Sequence, residues 1–129
     1  MTFVPHTLSG PLQCEAVVIT CIDFRFQRIL DRWLRENFDG RNYNRVAYAG
    51  AVKDWAIIFP QIEFSYRVHH VERVVMISHE DCRAYGELGT LQRQLTDLLE
   101  GRNKIWDKYP ELDVDLYYAW LAGHLQKID

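Results

Sequence analysis

Positive charge is not in excess in this chain. Fifteen Lys and Arg stand against 18 Asp and Glu in 129 residues, a formal net charge of −3. Nucleic-acid surfaces carry a basic footprint, so no nucleic-acid partner is expected. No apolar run approaches the ~20 residues of a membrane-spanning helix, so no membrane partner is expected either. The opening stretch MTFVPHTLSGPLQ has no basic start and no hydrophobic signal core. The expectation is an intracellular, cytoplasmic protein. Cysteine is scarce and odd in number: Cys14, Cys21 and Cys82. An odd count in such a chain argues against a disulfide framework, and the lack of a Cys-x-x-Cys weakens a redox-pair reading. Internal repeats, low-complexity tracts and Pro-, Gly- or Ser-rich linkers are absent. This length suggests a single domain over 1–129, with residues 1–14 as an N-terminal extension.

What is present is alternation. Residues 15–21 are apolar without a polar face, which predicts a buried strand. Phe26, Ile29, Leu30, Trp33 and Leu34 fall at helical spacing, so 26–38 is read as an amphipathic helix, stopped by Asp39-Gly40. Residues 45–49 are a short strand ending at Gly50. Residues 55–69 are read as a helix in which Pro60 kinks the chain or delays the start. Residues 73–78 form a third strand, and the leucines from Leu88 to Leu99 mark a third helix with a core-facing stripe. GRNKIWDKYPELD reads as a turn-rich connection, with a short extra helix as the alternative, Val114 to Leu121 as the last strand, and the final residues as a tail. Strands alternating with helices predict an α/β fold with a small, mostly parallel sheet of about four strands and flanking helices.

Two strands end in residues that bind metals. The first runs into Cys21-Ile22-Asp23-Phe24-Arg25, the third into His79-Glu80-Asp81-Cys82. In doubly wound sheets, ligands bind beyond the strand carboxyl ends. If the two strands are neighbours, Cys21, His79 and Cys82 converge. Two thiolates and an imidazole favour zinc (Zn2+), and three protein ligands leave one position open, as catalytic zinc sites do. Asp23 can orient a nucleophile there and Arg25 can restrain Asp23 through a two-pronged bond. Released, Asp23 can instead close the metal shell. Asp23 can equally be a helix cap or half of a loop ion pair. Cys14 lacks partners and is read as a plain small residue. His69-His70 read as helix-end histidines, His6 and His124 carry no signal, and Glu80 and Asp81 read as solvated loop charges.

These motifs resemble the β-class carbonic anhydrases. That family has Cys-x-Asp-x-Arg after its first strand and His-x-x-Cys after its third. The resemblance covers roughly residues 15 to 121. It includes EFSYRVHHVERVVMISH and DVDLYYAWL, while AYAGAVKD keeps only Ala49 and Gly50 of the family's loop. It implies the β-carbonic-anhydrase fold, a homodimer or higher homo-oligomer, and a zinc lyase hydrating carbon dioxide to bicarbonate by zinc-bound hydroxide. Cys21, His79 and Cys82 are then ligands, with Asp23 and Arg25 catalytic. Alternatives are hydrolysis of carbonyl sulfide or carbon disulfide, and a structural or regulatory zinc protein with Asp23 closing the shell. Departures are Phe24 where the family has a small residue, Ser78 and Arg83 where it has Gly, and only about fourteen residues before the first strand, without the family's N-terminal helices. A dimer edge is expected at the strand carrying Val114, Leu116, Tyr118 and Trp120.

Overall fold

Residues Ala16–Thr20 (β1) are buried at every position, the pattern of a strand covered on both faces. The structure, a computed structural model, describes residues 12–38, 40 and 42–129. Most of the extension read at 1–14, with His6, lies outside these residues, and so does Asp39. The other strands are Tyr43–Ala47 (β2), Arg73–His79 (β3), Asp113–Ala119 (β4) and Leu125–Ile128 (β5). They form one five-stranded sheet in the order β2-β1-β3-β4-β5. All pairs are parallel except β4 with β5. From β1 the chain steps one way to β2, and the later strands lie on the other side. The order therefore reverses between β1 and β3, which leaves a crevice at their carboxyl ends.

Helices cover both faces. Gln27–Asn37 (α1) lays Leu30 and Leu34, with Phe26 before it, on Val18, Val75 and Ile77. Trp55–His69 (α2) and Leu91–Lys108 (α3) cover the other face, where Ile58, Ile62, Leu98 and Ile105 meet Val17, Ile19 and Met76. No helix among the described residues is long and apolar enough to cross a membrane. Pro60 sits inside α2 without delaying its start. His69 and His70 close α2, His70 in the left-handed conformation at φ 54° and His69 held by Asn44 at 2.8 Å. They precede β3 and so lie at the opposite end of the sheet from the crevice.

Four expectations need correction. The last residues are not a tail. Gly123, at φ 111°, turns the chain after Trp120, and β5 pairs antiparallel with β4. The sheet therefore has five strands, in keeping with the small, mostly parallel sheet of about four that was expected. β4 is internal, so Val114, Leu116 and Tyr118 are buried and the edges are β2 and β5.

The stretch from Gly101 is not a turn-rich connection, because α3 runs on to Lys108. Gly101 is not a stop signal. A Cβ there would lie 2.9 Å from Cζ3 of Trp55, so glycine permits a close approach between helix and neighbour. Nor is the leucine stripe all core. Leu88, Leu91 and Leu99 are 65%, 41% and 36% exposed, and the buried face is Gln94, Leu98, Gly101 and Ile105.

That face gives a direct test. Leu98→Ala is expected to cost about 2–5 kcal/mol in urea unfolding, from lost burial and a residual cavity. Leu88→Ala is expected to stay within about 0.5 kcal/mol of the parent. Equal effects would show the two leucines to share one environment, against the structure.

Candidate metal centre

Cys21 follows the last residue of β1, and His79 is the last residue of β3. Cys82 comes after a tight turn in which Asp81 adopts φ 57°, a left-handed conformation that Asp tolerates better than most residues. The parallel pairing of β1 with β3 therefore places all three side chains in the crevice. The Cys21 and Cys82 sulfurs are 4.0 Å apart. Ligand atoms of Cys21, His79 and Cys82 all lie within 4.8 Å of one another, and all three residues are buried. Two sulfurs at ~2.3 Å from one tetrahedral zinc sit about 3.8 Å apart. His79 Nδ1 lies 2.8 Å from the Glu80 carbonyl oxygen, which can only accept, so Nδ1 carries the proton and Nε2 presents a lone pair. Nε2 is buried with no hydrogen-bond partner. An orphaned buried acceptor beside two thiols is a site with the geometry and donor set for a metal ion.

The sulfurs share a proton unequally. The Cys21 thiol is lowered, chiefly by its hydrogen bond with Cys82 and in spite of burial. His79 adds to this, and so does the Gly50 N–H, 3.4 Å away. Gly50 can aim its amide there because it adopts φ 84°. Cys82 is pushed up by the bond to Cys21, by burial and by the neighbouring negative charge. Burial acts to lower His79, but the Cys21 thiolate and the Glu80 carbonyl outweigh it and raise it. A bound cation takes the place of the shared proton.

Asp23 caps the 3-10 turn Phe24–Phe26, its Oδ1 accepting the Arg25 backbone N–H at 2.9 Å. The Arg25 side chain donates as well, from Nε to both carboxylate oxygens at 3.1 and 3.2 Å and from Nη2 to Oδ2 at 2.6 Å. Cap and ion pair therefore coexist. These bonds hold Asp23 below the usual carboxylate range. Its Oδ2 remains 3.9 Å from His79 Nε2.

Asp81 is an exposed loop charge and Glu80 a half-buried one, and both have hydrogen-bond partners. Glu80 Oε1 accepts the Leu121 N–H at 2.9 Å. Asp81 is bonded by Arg83 at 3.0 Å and by Arg25 at 3.0 Å, and both hold it below the usual carboxylate range. A cleft of about 580 Å³ opens over the site, with Ile22, Phe24, Ala49 and Ala84 in its walls. Phe24 is 85% exposed, so its bulk does not disturb the Asp23–Arg25 pair.

Two positioning groups escape a motif search. Gln94 of α3 is buried, accepts the His79 N–H at 3.3 Å, and donates to the His79 carbonyl at 2.9 Å. Its signal is a polar residue on the stripe continued by Leu98, Gly101 and Ile105. Gln27 donates to the Asp23 carbonyl at 2.9 Å and the Cys21 carbonyl at 3.3 Å. Gln94→Ala leaves two buried backbone groups of His79 unpaired and is expected to cost about 1–3 kcal/mol in chemical denaturation. An unchanged midpoint would mean that the clamp carries no weight.

Comparison with known proteins places this geometry. An uncharacterised protein of Rickettsia conorii is 24% identical over 135 residues, covering 90% of this chain and 73% of that protein. A carbonic anhydrase from Glaciozyma antarctica superposes with a TM-score of 0.65 at 16% identity, over 92% of this chain and 85% of that one. The apo form of a carbon disulfide hydrolase superposes with a TM-score of 0.67 at 12% identity, over 91% and 79%. The family described as "Putative carbonic anhydrase" matches residues 12–129. The chain thus belongs to that family, as a divergent member with the fold of the β-carbonic anhydrases.

Proposed function

We propose that this chain is a zinc-dependent lyase that interconverts carbon dioxide and bicarbonate. Cys21, His79 and Cys82 hold the metal, Asp23 orients the attacking water, and Arg25 keeps Asp23 in place. The observation that carries this reading is the state of Asp23. Its carboxylate borders the buried, unpartnered His79 Nε2, yet it is turned to Arg25 by four N–H contacts. That arrangement leaves a fourth metal position to water or substrate. Zinc, when bound, supplies Lewis acidity that makes water nucleophilic near neutral pH.

The chain's own groups do the rest. Asp23 accepts a hydrogen bond from the attacking water and points its lone pair at the electrophile. Arg25 denies Asp23 the freedom to swing toward the cation. The cleft walls at Ile22, Phe24, Ala49 and Ala84 suit a small linear molecule without charge. Arg25 and Arg83 offset Asp23 and Asp81, so an anionic product meets less repulsion than the acidic turn alone would give.

The apolar walls also suit carbon disulfide or carbonyl sulfide, and a carbon disulfide hydrolase shares the fold. The same residues then act on a different electrophile. The non-catalytic alternative requires Asp23 to leave Arg25 and close the shell.

Protein purified without added metal is expected to contain close to one zinc per chain by elemental analysis. Protein with no metal and two freely titratable buried thiols would overturn the metal reading. Zinc-loaded protein is expected to hydrate carbon dioxide, with carbon disulfide and carbonyl sulfide hydrolysis assayed beside it across pH. Turnover of the sulfur compounds alone selects the second reading, and no turnover of any selects the structural one. Asp23→Asn is expected to lower the hydration rate at least about 100-fold with zinc retained. Loss below tenfold would remove Asp23 from the mechanism. The working unit in this reading is a homodimer or larger, and a monomer in sedimentation at micromolar concentration would reject it.

A further inference from the structure

Arg25 is held from two sides. Its Nε and Nη2 face Asp23, while Nη1 donates to Asp81 Oδ2 at 3.0 Å and Nη2 to the Asp81 carbonyl at 2.9 Å. On the far side of Asp81, Arg83 Nε donates to Oδ1 at 3.0 Å. Asp23, Arg25, Asp81 and Arg83 thus form a row of alternating charge. It joins the turn after β1 to the turn after β3.

A guanidinium is a rigid plane on a long, flexible stem. Bonded along one edge only, it can pivot and carry its carboxylate partner with it. Bonded along two edges by groups on different turns, it cannot. Asp81 supplies the second edge with two acceptors, its carboxylate and its own carbonyl. The left-handed backbone at Asp81, φ 57°, accompanies this double contact.

We propose that Asp81 is a positioning residue: by bonding the outer edge of Arg25, it fixes the orientation of Asp23 and keeps that carboxylate out of the metal shell. Its catalytic meaning rests on the function proposed above. Its structural meaning does not, since the position of Asp23 can be read without turnover. Asp81 touches neither substrate nor metal in this account and acts only through Arg25.

The test uses the full chain loaded with zinc and three substitutions. Asp81→Gly removes the carboxylate and suits the positive φ, so the turn survives. Asp81→Asn tolerates the same backbone and restores an acceptor. Arg25→Ala removes the group through which Asp81 is argued to act. Zinc-edge X-ray absorption reads the shell.

The parent is expected to show two sulfurs, one nitrogen and a non-carboxylate oxygen. Arg25→Ala is expected to show carboxylate ligation, and Asp81→Gly a substantial fraction of the same. Hydration by Asp81→Gly is expected to fall about tenfold in kcat with little change in KM, and Asp81→Asn to recover to within about threefold of the parent. In the Arg25→Ala background, Asp81→Gly is expected to change neither shell nor rate further. In metal-free protein, the Arg25 Nε proton of Asp81→Gly is expected to exchange with water at least tenfold faster than in the parent.

A parent-like shell, rate and Nε exchange in Asp81→Gly would overturn the proposal. So would equal losses in both backgrounds, because Asp81 would then act on its own turn and not through Arg25. If Arg25→Ala itself leaves the shell open, there is no switch for Asp81 to hold and the proposal falls with it. If the shells shift as expected while no protein hydrates carbon dioxide, the positioning role stands and the lyase reading fails.

Discussion

Parallel pairing of β1 with β3, Val18 beside Val75 and Ile19 beside Met76, fixes the site. Parallel strands point their carboxyl ends the same way. The residue after β1 and the last residue of β3 therefore emerge together. Shifting this register by one residue would send Cys21 and His79 to opposite faces. The core resists such a shift, because β1 and the inner part of β3 are buried on both sides and each side has its own cluster of helices. Chemistry at the crevice thus depends on apolar packing some residues away from it.

Within the crevice, the groups are arranged so that each lacks something. Cys21 favours a negative charge, Cys82 resists one, and His79 offers a lone pair with nothing to accept it. A cation satisfies all three at once. The nearest carboxylate to that lone pair, Asp23, is bonded by Arg25. One of the left-handed non-glycine residues, Asp81, lies in the turn between His79 and Cys82, where its carboxylate and its carbonyl both accept from Arg25.

The cluster of Cys21, His79 and Cys82 was legible because its parts are local. Cys-x-Asp-x-Arg and His-x-x-Cys each occupy one strand end, and their residue types declare their chemistry. The alternating strands and helices were legible because buried strands and amphipathic helices have different periods. Other features were hidden for a common reason: they are contacts between distant segments. Gln94 has a polar side chain that bonds the backbone of His79 and the Gly89 carbonyl. Gly101 looks like a helix stop until Trp55 is placed beside it. β5 has two exposed polar residues between two half-buried ones and becomes a strand only because β4 lies alongside. Asp81 reads as a solvated charge and is exposed; what stayed hidden is its second partner, Arg25, 56 positions away.

That separation also governs how the protein reaches its folded state. Cys21 and Cys82 are 61 positions apart. Small zinc modules draw ligands from a short stretch of chain, so the ion can nucleate folding. Here the ion cannot gather its ligands until a long loop has closed, and closing it carries an entropic penalty that a single contact does not offset. Parallel, non-local pairing of this kind forms late and slowly. On this physical ground the sheet would assemble first on its apolar residues, and a metal taken up by Cys21, His79 and Cys82 would meet an already folded chain. Its contribution would then fall on the unfolding rate, holding two strand ends together after they have met, and not on the speed at which they find each other.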